Sequence, residues 1–216
     1  MNILILGAGP GLSRSVAEKF GKNGFEVILV SRNEEKLITE LAKLQFQKIP
    51  ACYFKGDVSQ KDFLEDIINK VIHQSGLPDI ILYNAFVNKS GGFEEETWES
   101  LCQEQDINVG GAFNLLKYVM PLYRKEGKGN LFFTGGGLGI SPSPEYLGIG
   151  LGKAALRNLV QAASEVMKDT DVHVATVTVT GIIGGDDPKF APSLIAEKYW
   201  ELYQQDKPKF QTEIIY

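Results

Sequence analysis

The chain is 216 residues long, 44% apolar and acidic, with 27 Asp and Glu against 22 Lys and Arg for a formal charge of −5. That length supports one well-sized core, and the charge excludes nucleic acid and anionic membranes as expected partners, because both require clustered cations; small molecules remain. Only Cys52 and Cys102 occur, without a CxxC spacing, which excludes a disulfide framework and a zinc site and points to a reducing, cytoplasmic setting.

The opening MNILIL is too short for a signal peptide or a membrane span and reads as a buried strand over Asn2–Leu6. Apolar runs and helical patterns then alternate along the whole chain. Helices are predicted over Leu12–Gly21, Glu34–Leu44, Gln60–His73, Thr97–Arg124, Tyr146–Met167 and Pro192–Gln205. Strands are predicted between them over Glu26–Val30, Lys48–Phe54, Ile80–Tyr83, Asn130–Thr134 and His173–Val179, with the final TEIIY as an edge strand. This alternation predicts an α/β fold, a doubly wound parallel sheet with helices on both faces. No repeat or linker interrupts it, so residues 1–216 form one domain. Gly91, Gly92 and Glu94–Glu96 read as a solvated loop whose acids favour the start of the next helix.

In such sheets ligands sit beyond the carboxyl ends of the strands. Gly7, Gly9 and Gly11 follow the first strand and open a helix with Leu12 and Ser13, where backbone N–H groups and the helix dipole hold a diphosphate. The strict GxGxxG fails at Leu12, and structural turn glycines are the alternative. The second strand ends in Ser31 and Arg32 with no carboxylate, so a guanidinium is available to a 2′-phosphate; this favours NADP(H), with NAD(H) possible. Arg14 either adds to that positive field or is a plain surface residue. Asp57 and Val58 close the third strand, where a carboxylate accepts from an adenine amino group or else caps the next helix in competition with Ser59. The prediction is thus of a Rossmann-type domain.

Tyr146 and Lys153, the ends of YLGIGLGK, share a helix face about 10 Å apart along the axis. A lysine leaning back towards the phenol favours phenolate and equips it to pass a proton near neutral pH; the alternative is a surface tyrosine and a solvated lysine. Gly148, Gly150 and Gly152 each cost roughly 1 kcal/mol of helix stability relative to alanine, which suggests close approach of backbone or cofactor, or else loose packing. His73 and His173 have no ligand neighbours, so they read as structural and no metal is expected. The segment APSLIAEKYWELYQQ is either a lid or a packing helix, with packing preferred, and GGDDPKF before it is a candidate hinge.

Read in order, these residues resemble the short-chain dehydrogenase/reductase family over Met1–Ile183. GAGPGLSRSVA is similar to its glycine loop, Gly56-Asp57-Val58 to its adenine-contacting strand end, and YNAF to its NNAG with only Asn84 and Ala85 kept. Asp106-Ile107-Asn108-Val109 is similar to its asparagine motif, which implies that Asn108 shapes the middle helix and supports a lysine and water proton relay. Gly181-Ile182-Ile183 resembles the segment that meets nicotinamide, so Gly181 and Ile183 join the cofactor set. The family's serine falls on Gly136 and its usual tyrosine on Ile149, and neither residue can replace a hydroxyl. YLGIGLGK instead resembles the divergent, enoyl-acyl-carrier-protein-reductase-type branch, with tyrosine seven before lysine; Ser13, six residues after Gly7, matches that branch too. Thr134, Ser141 and Ser143 are candidate replacement hydroxyls. The resemblance implies an NADP(H)-dependent oxidoreductase acting on a small carbonyl or enoyl substrate, with Tyr146 as proton donor, Lys153 holding the ribose, and a homodimer or homotetramer formed through the long central helices. The alternative is a catalytically degenerate NADP(H)-binding sensor or scaffold.

Overall fold

A computed structural model describes all 216 residues. Seven strands form one wholly parallel sheet in the order β3-β2-β1-β4-β5-β6-β7. They are β1 (Asn2–Leu6), β2 (Glu26–Ser31), β3 (Ala51–Lys55), β4 (Ile80–Tyr83), β5 (Lys128–Gly136), β6 (Asp171–Val179) and β7 (Glu213–Ile215). β1 and β4 are buried throughout, as continuous apolar runs covered on both faces must be. Strand order reverses between β1 and β4, which places the ligand crevice at their carboxyl ends.

Helices α1 (Leu12–Lys22), α2 (Glu34–Phe46) and α7 (Pro192–Tyr203) cover one face, and α3 (Lys61–Ser75), α5 (Gly111–Glu126) and α6 (Leu147–Met167) the other. Each face has its own core. Val16 and Phe20 meet Leu37, Tyr199 and Leu202 on the first side, whereas Leu64, Ile67 and Ile68 meet Leu115, Val119 and Leu156 on the second. The buried positions of α3 recur as 64, 67, 68 and 71, the stripe that one helix face buries. α7 is a packing helix: Ile195, Ala196, Tyr199 and Leu202 are buried, and Trp200 and Tyr203 meet Phe20 and Phe25 edge-on.

Two differences from the predicted elements have a cause in the packing. β3 begins at Ala51 rather than Lys48, because Ile49 N–H still bonds Leu44 of α2 and Lys48 takes a positive φ of 60° to make the turn. The single helix predicted over Thr97–Arg124 is three segments: α4 (Trp98–Gln105), a π-helical turn over Asp106–Gly110, and α5. The Tyr83 hydroxyl donates to the Ile107 carbonyl inside the π turn at 2.5 Å. Gly111 permits this, since a Cβ there would collide with the Tyr83 hydroxyl and stand 2.8 Å from the Val58 carbonyl. Such turns gather at functional sites, and this one carries Asn108. No helix is long and apolar enough to cross a membrane.

Candidate active site

The first crevice loop is built by its glycines. Gly7 has φ 89°, and a Cβ on it would run into the Ala85 backbone after β4, so this position sets how closely the two loops approach. Gly9 and Gly11 face open space, with nothing within 4 Å of a Cβ on either. Gly11 caps α1 without a side-chain hydrogen bond, and the first turn has no acidic residue; the free N–H groups and the positive helix end suit an anion. Ser13 serves the loop itself: its hydroxyl accepts from Gly9 N–H and donates to the Gly9 carbonyl, both at 2.8 Å. Leu12 is buried in the core beneath. Both residues therefore offer a ligand their backbone, not their side chains.

At the adenosine end, Ser31 accepts from Asn33 N–H at 3.3 Å and the exposed Arg32 lies 3.8 Å from Asp57. One Asp57 oxygen accepts from the Ser59 N–H and hydroxyl while the other faces Arg32, so the expected adenine acceptor and the turn-capping residue are the same side chain. Val58 is buried in the core and brings no side chain to the crevice. Arg14 is neither a free surface residue nor part of this field. Glu40, itself buried and shared with Lys43, binds it.

The crevice floor is a closed polar network. The Asn84 amide donates to the Gly7 carbonyl at 3.2 Å and accepts from the Thr134 hydroxyl at 2.7 Å. That hydroxyl also meets the Tyr199 hydroxyl at 2.8 Å. Thr134 is thus engaged and does not serve as a free replacement hydroxyl. Its carbonyl accepts from the Lys153 ammonium at 2.8 Å. Lys153 is 9% exposed, the Phe86 ring covers its ammonium at 5.0 Å, and burial pushes its pKa down to about 8. Its stem lies across Gly136, where a Cβ would come 3.3 Å from Lys153 Cγ. Ile149 is buried on the same helix.

Tyr146 is placed differently from the sequence expectation. It is the N-cap of α6, with φ −132°, so it stands outside the helix and the seven-residue spacing does not put it on a shared helical face with Lys153. Its backbone bridges to Gly91, the residue is 37% exposed, its phenol makes no hydrogen bond within the protein, and the lysine points to Thr134 instead. Asn108 accepts from Val87 N–H at 2.9 Å, which pins the loop that carries Phe86, while its Nδ2 has no partner. The α6 glycines mark close approach: Cβ atoms at Gly148 and Gly152 would strike Glu104 and Asn108 respectively. Gly181 holds the ring of Phe190 where its Cβ would be, and Ile183 next to it is partly exposed. The acidic loop is not all solvated, because the Glu96 carboxylate is buried against Lys89, which reaches Glu104 as well.

The profile of the short chain dehydrogenase family matches residues 1–185. The chain belongs to this family. It is similar to a short-chain dehydrogenase/reductase of Armillaria gallica, 29% identical over 164 residues, which are 74% of this chain and 63% of that protein. It is also similar to an NADPH-dependent pterin aldehyde reductase of Arabidopsis thaliana, 32% identical over 128 residues, 58% of this chain and 52% of that one. The crystal structure of a metagenomic short-chain oxidoreductase in complex with NADP superposes with a TM-score of 0.90 at 22% identity, over 100% of this chain and 96% of the other. Membership of this family agrees with the parallel sheet and crevice found here, and the matched part of the chain spans about 63% of the length of the Armillaria relative.

Within this short-chain dehydrogenase, Gly7, Gly9, Gly11, Asn84, Ala85, Lys153 and Asn108 converge on one crevice, with Arg32 and Asp57 at its rim. Sequence reasoning missed Phe86 as the cover of Lys153, and it missed Glu96 and Glu104 as two buried carboxylates bridged by the exposed Lys89. Phe86 left a signal, an aromatic where the family has glycine. The acids left none, since a run of glutamates reads the same whether it is solvated or folded inward.

Proposed function

We propose that this chain is an NADP(H)-dependent reductase or dehydrogenase of small carbonyl or enoyl substrates. The observation that carries this is the open cradle at Gly9 and Gly11 under the start of α1, with Arg32 at the end of β2. The loop amides would take the diphosphate, Arg32 the 2′-phosphate in exchange for its long contact to Asp57, and Lys153 the ribose of the nicotinamide half. Nicotinamide supplies or accepts the hydride. Tyr146, whose phenol is free at the N-terminus of α6, would pass the proton to the substrate oxygen. Asn108 positions the loop at Val87. Exposed Trp98, Phe113, Leu151 and Val166 on α4, α5 and α6 support association through these helices as a homodimer or homotetramer.

Tyr146→Phe tests the chemistry. NADPH oxidation across an aldehyde, ketone and enoyl panel should fall by about 100-fold or more, as loss of a general acid predicts, with NADPH affinity retained. Full turnover in the variant would remove Tyr146 from the mechanism. A second reading, a nucleotide-binding protein without turnover, draws on Ile149 and on the engagement of Lys153 by Thr134 and Phe86. It predicts NADPH binding with no oxidation by any substrate in the panel, and steady turnover ends it.

A further inference from the structure

The Lys153 ammonium has three N–H donors and makes one hydrogen bond, to the Thr134 carbonyl at 2.8 Å. The face of Phe86, 5.0 Å away, covers it. A cation stripped of water leans on a ring face more strongly than a solvated one. Phe86 itself is 43% exposed, so its outer side faces solvent and no packed core holds it shut. The backbone around it is fixed: Val87 N–H is bound by Asn108, and Asn84 is tied to both Gly7 and Thr134. The part free to move is the ring, by rotation about χ1.

We propose that Phe86 is a lid on Lys153: when closed, its ring fills the approach to the ammonium, and the nicotinamide half of a dinucleotide reaches Lys153 only when the ring swings out. This rests on the nicotinamide reading of the site. The adenosine half is untouched by the lid, because Gly9 and Gly11 face open space and Arg32 and Asp57 stand at the far end of the cradle. A whole dinucleotide therefore binds only the open fraction of molecules, and its apparent Kd is raised by the reciprocal of that fraction. A nucleotide that ends at its 5′-phosphate binds open and closed forms alike and feels no such penalty.

Titration of the full chain, Phe86→Ala and Phe86→Leu with NADPH and with adenosine 2′,5′-bisphosphate tests this. Both substitutions should tighten NADPH, the alanine variant by about 3- to 30-fold, the range set by a partly to fully desolvated cation–π contact. The leucine variant keeps apolar bulk and loses only the ring quadrupole, so it should shift in the same direction. Bisphosphate affinity should stay the same in all three proteins. NADPH affinity unchanged or weakened in both variants, or an equal gain for both ligands, overturns the lid while leaving the cofactor reading intact. NADPH binding gained by Phe86→Ala where the parent has none supports the lid. Bisphosphate binding with no NADPH binding by any of the three proteins overturns the lid and the nicotinamide reading together.

Discussion

Replacing Lys153 with methionine should change stability in a way that depends on pH, with a size set by burial. The ammonium's ordinary pKa of 10.5 falls to about 8 in the folded chain, and desolvation is the cause. Burial therefore disfavours the protonated form, so the folded chain holds its proton less tightly than the unfolded chain. Between pH 8 and 10.5 the unfolded state binds more protons, and stability rises with pH across that window. Taking roughly 1.4 kcal/mol per pH unit, the charged lysine costs the fold about 3 kcal/mol at pH 7 and roughly half of that at pH 9.5. Methionine removes this cost and leaves the Thr134 carbonyl without its donor, a loss of about 1–3 kcal/mol at any pH. The two proteins should thus be close in stability at pH 7, and the parent should gain about 1–2 kcal/mol on the variant by pH 9.5. Urea unfolding followed by circular dichroism at both pH values measures the difference, in which all other titrating groups cancel. A stability difference that stays constant between pH 7 and 9.5 would refute burial as the cause of the shift.

Two further outcomes are expected. Gly152→Ala should destabilise the chain by about 1–3 kcal/mol although alanine favours helix, because its Cβ would lie 2.7 Å from Asn108 Cβ and 3.0 Å from Gln105 Oε1; chemical denaturation that finds equal or greater stability contradicts the close contact of α6 with the π turn. Arg32→Ala should weaken NADPH by about 10-fold or more and leave NADH nearly unchanged, as loss of one charge-assisted phosphate contact predicts. Equal weakening of both cofactors in a fluorescence titration removes the 2′-phosphate role.

The sheet was legible because its information is local. Strands such as Asn2–Leu6 and Ile80–Tyr83 are apolar runs between turn residues, and the apolar stripe of α3 is visible in any window of the sequence. The glycine loop was equally readable, since backbone requirements at Gly7 and Gly11 leave their mark on residue type. The break at Asp106–Gly110 was not, because it answers to Tyr83, a residue 24 positions earlier whose hydroxyl takes the Ile107 carbonyl. Tyr146 misled for a related reason: helical spacing pairs it with Lys153 only if the helix includes it, and the bridge to Gly91 holds it outside.

By itself, then, the sequence determined the alternating elements, the parallel sheet and the residues of the glycine loop, all of which follow from periodicity and from glycine's backbone freedom over short spans. Only the tertiary structure decided what those residues do to one another. Lys153 is bound by Thr134 19 positions away and covered by Phe86, Asn84 spans 77 positions to Gly7, and Arg14 is claimed by Glu40 across 26. Hydrogen bonds and ring contacts act over a few ångströms, and which groups come within that reach is set by how the strands order and the helices pack.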